Sequence, residues 1–525
     1  MAHSSEALVI EEHLIHHRGD SGEECNQRRS FAQRSLIVMA TDRCGKGRLT
    51  IDMLPDDALL RIFSCIGEST PSRILSWWIP LVHTCGRWRY IIFGSPLHLH
   101  LALVCLPKMP VRKSLEIWPP FPIIVHHDDS SSGDENTIAA LEHRNRVSEI
   151  YCHLIVAEIK KFATVLQEPF PALTNLTLSS NGNEDQLLPG VLLGGSAPSL
   201  RMFELERLAF PALPTLLLSA PNLVSLMLYE IQESGYISPE AMATCLATLA
   251  HLERLHIDFY PPLSFDPEPT SPPSFPRGVL PTLTYFSFKG AAGYLDDLVS
   301  RIDTPILQTF STTFLFFTVP HIPQFIQFVS RVEEFTGKSL TRAVLEFDDF
   351  GVEFKLKTLD RFELGTRFDY LSERVGPMMN LVCRELSPLF SCVDSLDLCG
   401  DTSRCGIPGP VWWSRMLPAQ WLDFFHPFIA TQTLRVSCEL FLCVVYALRD
   451  LTNEEATEML PELRTLFLEG FARSKPVPPI LDQFVSVRQL SGRPSLDCQS
   501  WDIPGRHGSI SMIPSRAPYT PSFGL

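Results

Sequence analysis

The residues best suited to chemistry are few, and their spacing does not assemble a reaction centre. His126 and His127 stand beside Asp128 and Asp129, all of them metal-binding side-chain types. Neighbouring ligands within the polar run HHDDSSSGDE read as a solvated loop, however. In the same run Ser132 with Glu135 has the spacing of an acid-directed phosphorylation site. Cys392, Cys399 and Cys405 lack a convincing fourth ligand for zinc, and no C-x-x-C pair occurs. Gly194 and Gly195 precede Ser196, but no glycine follows two residues later, so the nucleophile-elbow spacing is missing and a turn is expected. No glycine-rich phosphate cradle is present. Asn175-Leu176-Thr177 fits the glycosylation sequon but falls on an expected strand. The chain is therefore expected to be a non-enzyme that needs neither metal nor cofactor.

The most informative pattern is a repeat. In LTNLTLSSN, Leu173, Leu176, Leu178 and Asn181 follow L-x-x-L-x-L-x-x-N. Looser copies begin at Leu200, Leu223, Leu252 and Leu283, fainter ones at Leu307, Arg342, Val393 and Thr431, and a clear one at Leu463. The early spacing lies near the ~20–29 residues of leucine-rich repeats. Helical signals separate the copies, such as Ser238-Pro239-Glu240 ahead of AMATCLATLAHL. The expected fold class is therefore α/β: a small helical module followed by an irregular leucine-rich-repeat-like solenoid of strand–helix units. Two alternating runs in VLEFDDFGVEFKL flank Asp348-Asp349-Phe350-Gly351 and predict a hairpin inserted in the array.

The repeat leucines serve the core, so recognition must lie between them. Strand side chains alternate, so the positions beside each middle leucine face outward together. They are Asn175 and Thr177, Met202 and Glu204, Ser225 and Met227, Arg254 and His256, Tyr285 and Ser287, and Ser395 and Asp397. Such a mixed strip suits an irregular protein surface. Arg254 and Tyr285 have the hot-spot chemistry, with Met227 as an adaptable apolar contact.

Of 525 residues 45% are hydrophobic and 20% charged, values of a globular chain. The 43 prolines favour short elements joined by turns. With 59 acidic against 44 basic residues the formal charge is −15, so a whole-chain footprint for nucleic acid is missing. No apolar run predicts a membrane span, and Met1 to Asp20 does not read as a signal peptide. The 14 scattered cysteines fit reduced thiols of a cytoplasmic or nuclear protein. Five segments are expected: a disordered arm over 1–48, a helical module over 49–105, a linker with a connecting helix over 106–164, the repeats over 165–502, and a disordered tail over 503–525. In the module, Asp52 is a candidate helix cap. Leu59, Ile62 and Phe63 recur at helical spacing, a second helix is expected from Ile79 to Ile92, and LHLHLALVC alternates as a strand.

IDMLPDDALLRIFSCI and LVHTCGRWRYIIFGSPLHLHLALVC resemble an F-box, in particular that of a large family of mushroom-type fungal proteins with leucine-rich-repeat C-terminal regions. The family's Leu-Pro falls on Leu54-Pro55, its Leu-x-x-Ile-Phe on Leu59 through Ile62 and Phe63, and its Cys-x-x-Trp on Cys85 through Trp88. ALEHRNRV, PEAMATCLATL, EMLPELRTLFLEG and FVSVRQLSGRP resemble its downstream segments. The resemblance implies the substrate-recognition subunit of an SCF-type ubiquitin ligase. Its F-box would dock on a Skp-type adaptor and through it on a cullin–RING ligase, while the repeats hold an unknown substrate protein. The alternative is an interaction scaffold acting outside a ligase.

Overall fold

The computed structural model describes residues 51–69, 77–96, 98–99, 101–106, 110–127, 134–182, 187–259, 277–315, 322–332, 342–347, 351–357, 363–369, 382–400, 418–449, 458–469 and 481–501. The arm over 1–48, the tail over 503–525, Ser132, Asp348 to Phe350 and Cys405 lie outside them. The chain divides into two compact units, Met1–Leu101 and Ala102–Leu525.

The described part of the first unit is helical. A 3-10 turn, Ile51–Met53, leads into α1 (Asp56–Ser69), so the helix begins after Pro55 and not at an Asp52 cap. Asp56 and Asp57 place negative charge against its N-terminal dipole. Leu59 and Phe63, one turn apart, are fully buried. The expected second helix is two: α2 (Ile79–Val82) and α3 (Gly86–Gly94). The break falls where Cys85 takes an extended backbone, and its sulfur accepts the Trp88 N–H at 3.5 Å as the cap of α3. Trp88 packs edge-on against Phe63 at 5.0 Å. Arg87 ties α3 to the start of α1, donating to the Leu54 carbonyl at 2.5 Å and to Asp56 at 2.6 Å.

The second unit is a mixed α/β array. Its elements are β1 (Leu103–Cys105), α4 (Val111–Ile117), β2 (Ile123–His127), α5 (Asp134–Leu141), β3 (Val147–Leu154), α6 (Val156–Leu166), β4 (Asn175–Ser180), β5 (Met202–Glu206), α7 (Leu213–Leu218), β6 (Ser225–Ile231), α8 (Pro239–Leu246), β7 (Arg254–Phe259), β8 (Gly278–Val279), β9 (Tyr285–Gly290), α9 (Ala292–Ser300), β10 (Ile302–Asp303), β11 (Thr309–Leu315), α10 (Pro323–Arg331), β12 (Arg342–Phe347), β13 (Gly351–Lys357), β14 (Glu363–Asp369), α11 (Ser387–Phe390), β15 (Ser395–Gly400), α12 (Pro418–Phe425), β16 (Thr433–Val436), α13 (Cys438–Arg449), β17 (Thr465–Glu469), α14 (Asp482–Leu490) and β18 (Asp497–Trp501). Sixteen of these strands form one sheet in the order β1-β2-β3-β4-β5-β6-β7-β9-β11-β14-β13-β12-β15-β16-β17-β18; β8 and β10 pair separately. Every pair outside the β12–β14 segment is parallel, consistent with a leucine-rich-repeat-like solenoid.

Register explains the core. Leu176, Phe203, Leu226, Leu255, Phe286 and Phe310 are partners across β4 to β11, and all are fully buried. Leu178, Leu205, Leu228, Ile257 and Phe288 form the next buried row. Successive helices pack on one another over this side, α7 on α8, α8 on α9 and α9 on α10. Alternation turns the intervening residues to the opposite, open face.

The predicted hairpin is present as part of a three-strand meander. β12 pairs antiparallel with β13, and β13 with β14. The meander sits in reverse sequence order, with β14 parallel to β11 and β12 parallel to β15. Three antiparallel strands restore the starting direction, so the array continues with its polarity unchanged.

Further expectations fail. LHLHLALVC is a strand only over Leu103–Cys105; Leu99 and Leu101 end the first unit in turns, donating to Ser95 and Pro96 carbonyls. The boundary after 105 therefore moves to 101, because β1 belongs to the sheet. The segment 106–164 is not a linker but carries β2, β3 and three helices. Its prolines misled because they sit in the connections: Pro110 precedes α4, and Pro119, Pro120 and Pro122 precede β2. His126 and His127 likewise extend the apolar strand Ile123–His127 instead of starting a solvated loop. His127 is buried between Thr137 and Glu158, at 3.1 Å from each.

Candidate protein-recognition face

The outward residues anticipated from the repeats lie in register. Asn175, Met202, Ser225, Arg254 and Tyr285 form one row across β4, β5, β6, β7 and β9. Thr177, Glu204, Met227, His256 and Ser287 form the next. Arg254 is exposed and most of the others are half-buried, but Ser225, Ser287 and Asp397 are buried and offer little to a partner.

Two groups of residues escape the six-residue pattern. β3 adds Glu149, Tyr151 and His153 in register with Asn175, Thr177 and Ser179. A third row continues the alternation past the last leucine: Ser179, Glu206 and Tyr229, with Asp258 and Lys289 beyond. The signal was the residue after L-x-L. A bulge after Leu228 separates the two parts of that row, and Glu230 there takes a left-handed backbone (φ 49). Arg207, also left-handed (φ 56), pairs with Glu230 at 2.5 Å and draws its carboxyl below the usual range.

Over β3 to β9 this face is acidic and aromatic. His126 stacks on Tyr151 at 4.8 Å, and Tyr229 lies 4.3 Å from His256. Burial raises the Glu204 carboxyl pKa; the Thr177 hydroxyl opposes the shift and Glu206 adds to it. Burial pushes the Tyr151 hydroxyl up to about 12. Burial, with Lys289 nearby, lowers His256 to about 4, so its ring is neutral near pH 7. Tyr229 is raised by burial and by Glu204, Tyr285, Glu206 and Asp258, the groups that surround it.

Over β12 to β17 the same face is self-satisfied. Asp397, 1% exposed, accepts from Arg342 and, at 3.0 Å, from Arg435. Arg435 also donates to Ser395 at 2.7 Å and lies 5.0 Å over the Phe467 ring. Lys355 pairs with Glu346 at 2.8 Å and with Glu353 at 3.5 Å.

Among the described residues, Cys438, Glu439 and Glu469 offer ligand atoms within 4.8 Å of one another. Glu469 accepts the Cys438 backbone N–H at 3.0 Å, which caps the start of α13. Burial first, then Glu439 and Glu469, push the Cys438 thiol up to about 12, which disfavours the thiolate a metal needs. Cys392 and Cys399 do not join this group.

In the first unit, the F-box-like residues separate by role. Leu59 and Phe63 are core, Trp88 packs on Phe63, Cys85 caps a helix, Leu54 and Ile62 are half-buried, and Pro55 is exposed. Met53 and Tyr90, which sequence did not single out, are 66% and 78% exposed. Tyr90 borders an open groove of about 610 Å³ with Asp56, Asp57, Leu60, Arg89 and Ile91.

No helix among the described residues is long and apolar enough to cross a membrane. No protein-family model matches the chain, and no curated protein matches it significantly. Among solved structures, it is similar to the leucine-rich repeat-containing protein LegL7 from Legionella pneumophila at 12% identity, with a TM-score of 0.24, covering 72% of this chain and 98% of that one. So distant a likeness carries no argument; the repeat assignment rests on the sheet register.

Proposed function

We propose that the chain is a substrate receptor of an SCF-type ubiquitin ligase, with the first unit docking on a Skp-type adaptor and the open face of the repeats holding the substrate protein. The chain acts by raising the substrate's effective concentration at a catalytic machinery that other subunits supply. The observation that carries the recognition half is the run of registered, half-buried and chemically mixed residues over β3 to β9. A rigid strand ladder fixes such side chains before binding, so little ordering entropy is lost. The docking half is supported by the F-box-like sequence and by large apolar side chains left exposed on a small helical unit, Met53 and Tyr90 foremost.

The placement of Leu59 decides how docking should be tested. Removing this fully buried side chain costs about 2–5 kcal/mol and would unfold the unit, not probe its surface. Met53→Ala with Tyr90→Ala removes surface only. Co-purification with a Skp-type adaptor should be robust for the wild-type chain and fall roughly tenfold or more for this variant, at unchanged thermal stability. A wild-type chain that brings down no adaptor would leave the scaffold reading, in which the same repeats act outside a ligase.

A further inference from the structure

The open face over β5 to β7 carries polar groups that no described residue satisfies. Asp258 is 7% exposed, and its Oδ2 takes the Lys289 ammonium at 3.1 Å while Oδ1 is buried without a hydrogen-bond partner. His256 Nε2 is also buried and unpartnered. Glu204 accepts only from the Thr177 hydroxyl at 3.4 Å, and neither it nor Glu206 has a cation within ion-pair reach among the described residues. Tyr229 stands between them: Glu206 is its register partner on β5, and Asp258 follows the Leu228–Ile257 pair on β7. Buried acceptors left unmade cost stability, and so does a desolvated carboxylate without a counter-charge.

Glu204, Glu206 and Asp258 Oδ1 carry negative charge and only accept hydrogen bonds. They do not converge on one point, because the only trio of ligand atoms close enough for an ion among the described residues is that of Cys438. A fitting ligand is therefore extended, cationic and rich in donors. Lys289 neutralises Asp258, and Arg254 stands four residues earlier on β7, so the net negative charge comes from Glu204 and Glu206. Strands lie about 4.8 Å apart, which places β5 and β7 on either side of Tyr229. A guanidinium matches this arrangement. It stacks flat on an aromatic ring, presents N–H groups along its edges and has no acceptor of its own. An ammonium is a point charge that cannot reach both sides at once.

We propose that Glu204, Glu206, Tyr229, His256 and Asp258 form a subsite that reads an arginine side chain on an exposed segment of the partner protein. The guanidinium would lie over Tyr229 and donate to Glu206 on one side and to Asp258 on the other, the Asp258 side chain turning its buried Oδ1 outward to meet it. The proposal rests on the reading that the repeats capture a partner through this face, and does not depend on ligase membership.

The test is fluorescence anisotropy on the full chain with labelled glycine–serine peptides carrying three arginines, three lysines or three glutamates. The arginine peptide should bind saturably, and roughly tenfold or more tighter than the lysine peptide. Glu206→Gln with Asp258→Asn should remove that preference, while Glu233→Gln with Glu240→Gln, an equal charge change elsewhere, should keep it. Should the first variant not fold, Glu206→Gln alone carries the test, because Glu206 is half-buried and holds no partner among the described residues. Equal binding of arginine and lysine peptides, or a preference untouched at Glu206, would overturn the proposal. If the glutamate peptide binds instead and Arg254→Ala with Tyr285→Ala abolishes it, the face is a receptor but not for arginine. If none of the three binds, the subsite falls, while the receptor reading stands or falls on the proteins the full chain captures.

Discussion

The open face changes character along its length. Over β12 to β17 its charges close on one another: Asp397 sits between Arg342 and Arg435, and Lys355 between Glu346 and Glu353. Over β4 to β7, Glu204 and Glu206 meet no cation among the described residues, and Asp258 Oδ1 and His256 Nε2 are buried without a partner there. The two regions share one backbone plan, so strand geometry does not cause the difference. A chain selected for stability alone would satisfy both. The first region is built to hold itself, and the second carries groups that no described residue satisfies, at a cost to the folded state, the usual signature of a binding surface.

The largest expected effect comes from breaking the satisfied half. Asp397→Ala removes the only carboxylate that Arg342 and Arg435 are seen to share. Both arginines keep some access to water, so the cost should be about 2 kcal/mol, below that of a fully buried pair. Chemical denaturation should show this loss, and partner capture should remain. Retained stability would mean that the network is an exposed-type pair worth little.

The smaller effect sharpens the other half and has the opposite sign. Glu204→Gln removes a desolvated charge with no counter-ion among the described residues, so it should stabilise the folded chain at pH 7. The raised pKa fixes the pH dependence. The folded state holds the Glu204 proton more tightly than the unfolded state does, so this residue's cost appears as pH rises through the ordinary carboxylate range. Melting temperatures of the variant and the wild type should differ near pH 7 and converge at acid pH, where Glu204 is protonated in both states. A less stable variant would show that the Glu204 carboxylate has a charged partner besides the Thr177 hydroxyl.

The repeat was legible because its core is local. Leu173, Leu176 and Leu178 announce a strand within one short window, and register then carries the pattern from strand to strand. The outward residues followed from the same alternation. The third row was missed because Glu206, Tyr229, Asp258 and Lys289 lie beyond the leucines that define the motif, and the bulge at Glu230 leaves no period in sequence. The early strands were missed for a different reason. Ile123–His127 is buried almost throughout and shows no alternation, while its flanking prolines look like a linker. The order of β12 to β14 depends on pairing between segments far apart in sequence, which no local pattern encodes.

The central claim is that partner proteins are captured by the open face of the early repeats and not by that of the late ones. Each region offers an arginine beside an aromatic ring: Arg254 next to Tyr285, and Arg435 over Phe467. The most direct measurement compares the proteins bound by wild type, by Arg254→Ala with Tyr285→Ala, and by Arg435→Ala with Phe467→Ala, using quantitative mass spectrometry on folded material. The account predicts that the first variant loses the captured proteins at undiminished stability, while the second keeps them and melts earlier. Retention of the same partners by the first variant, or their loss from a folded second variant, would contradict it.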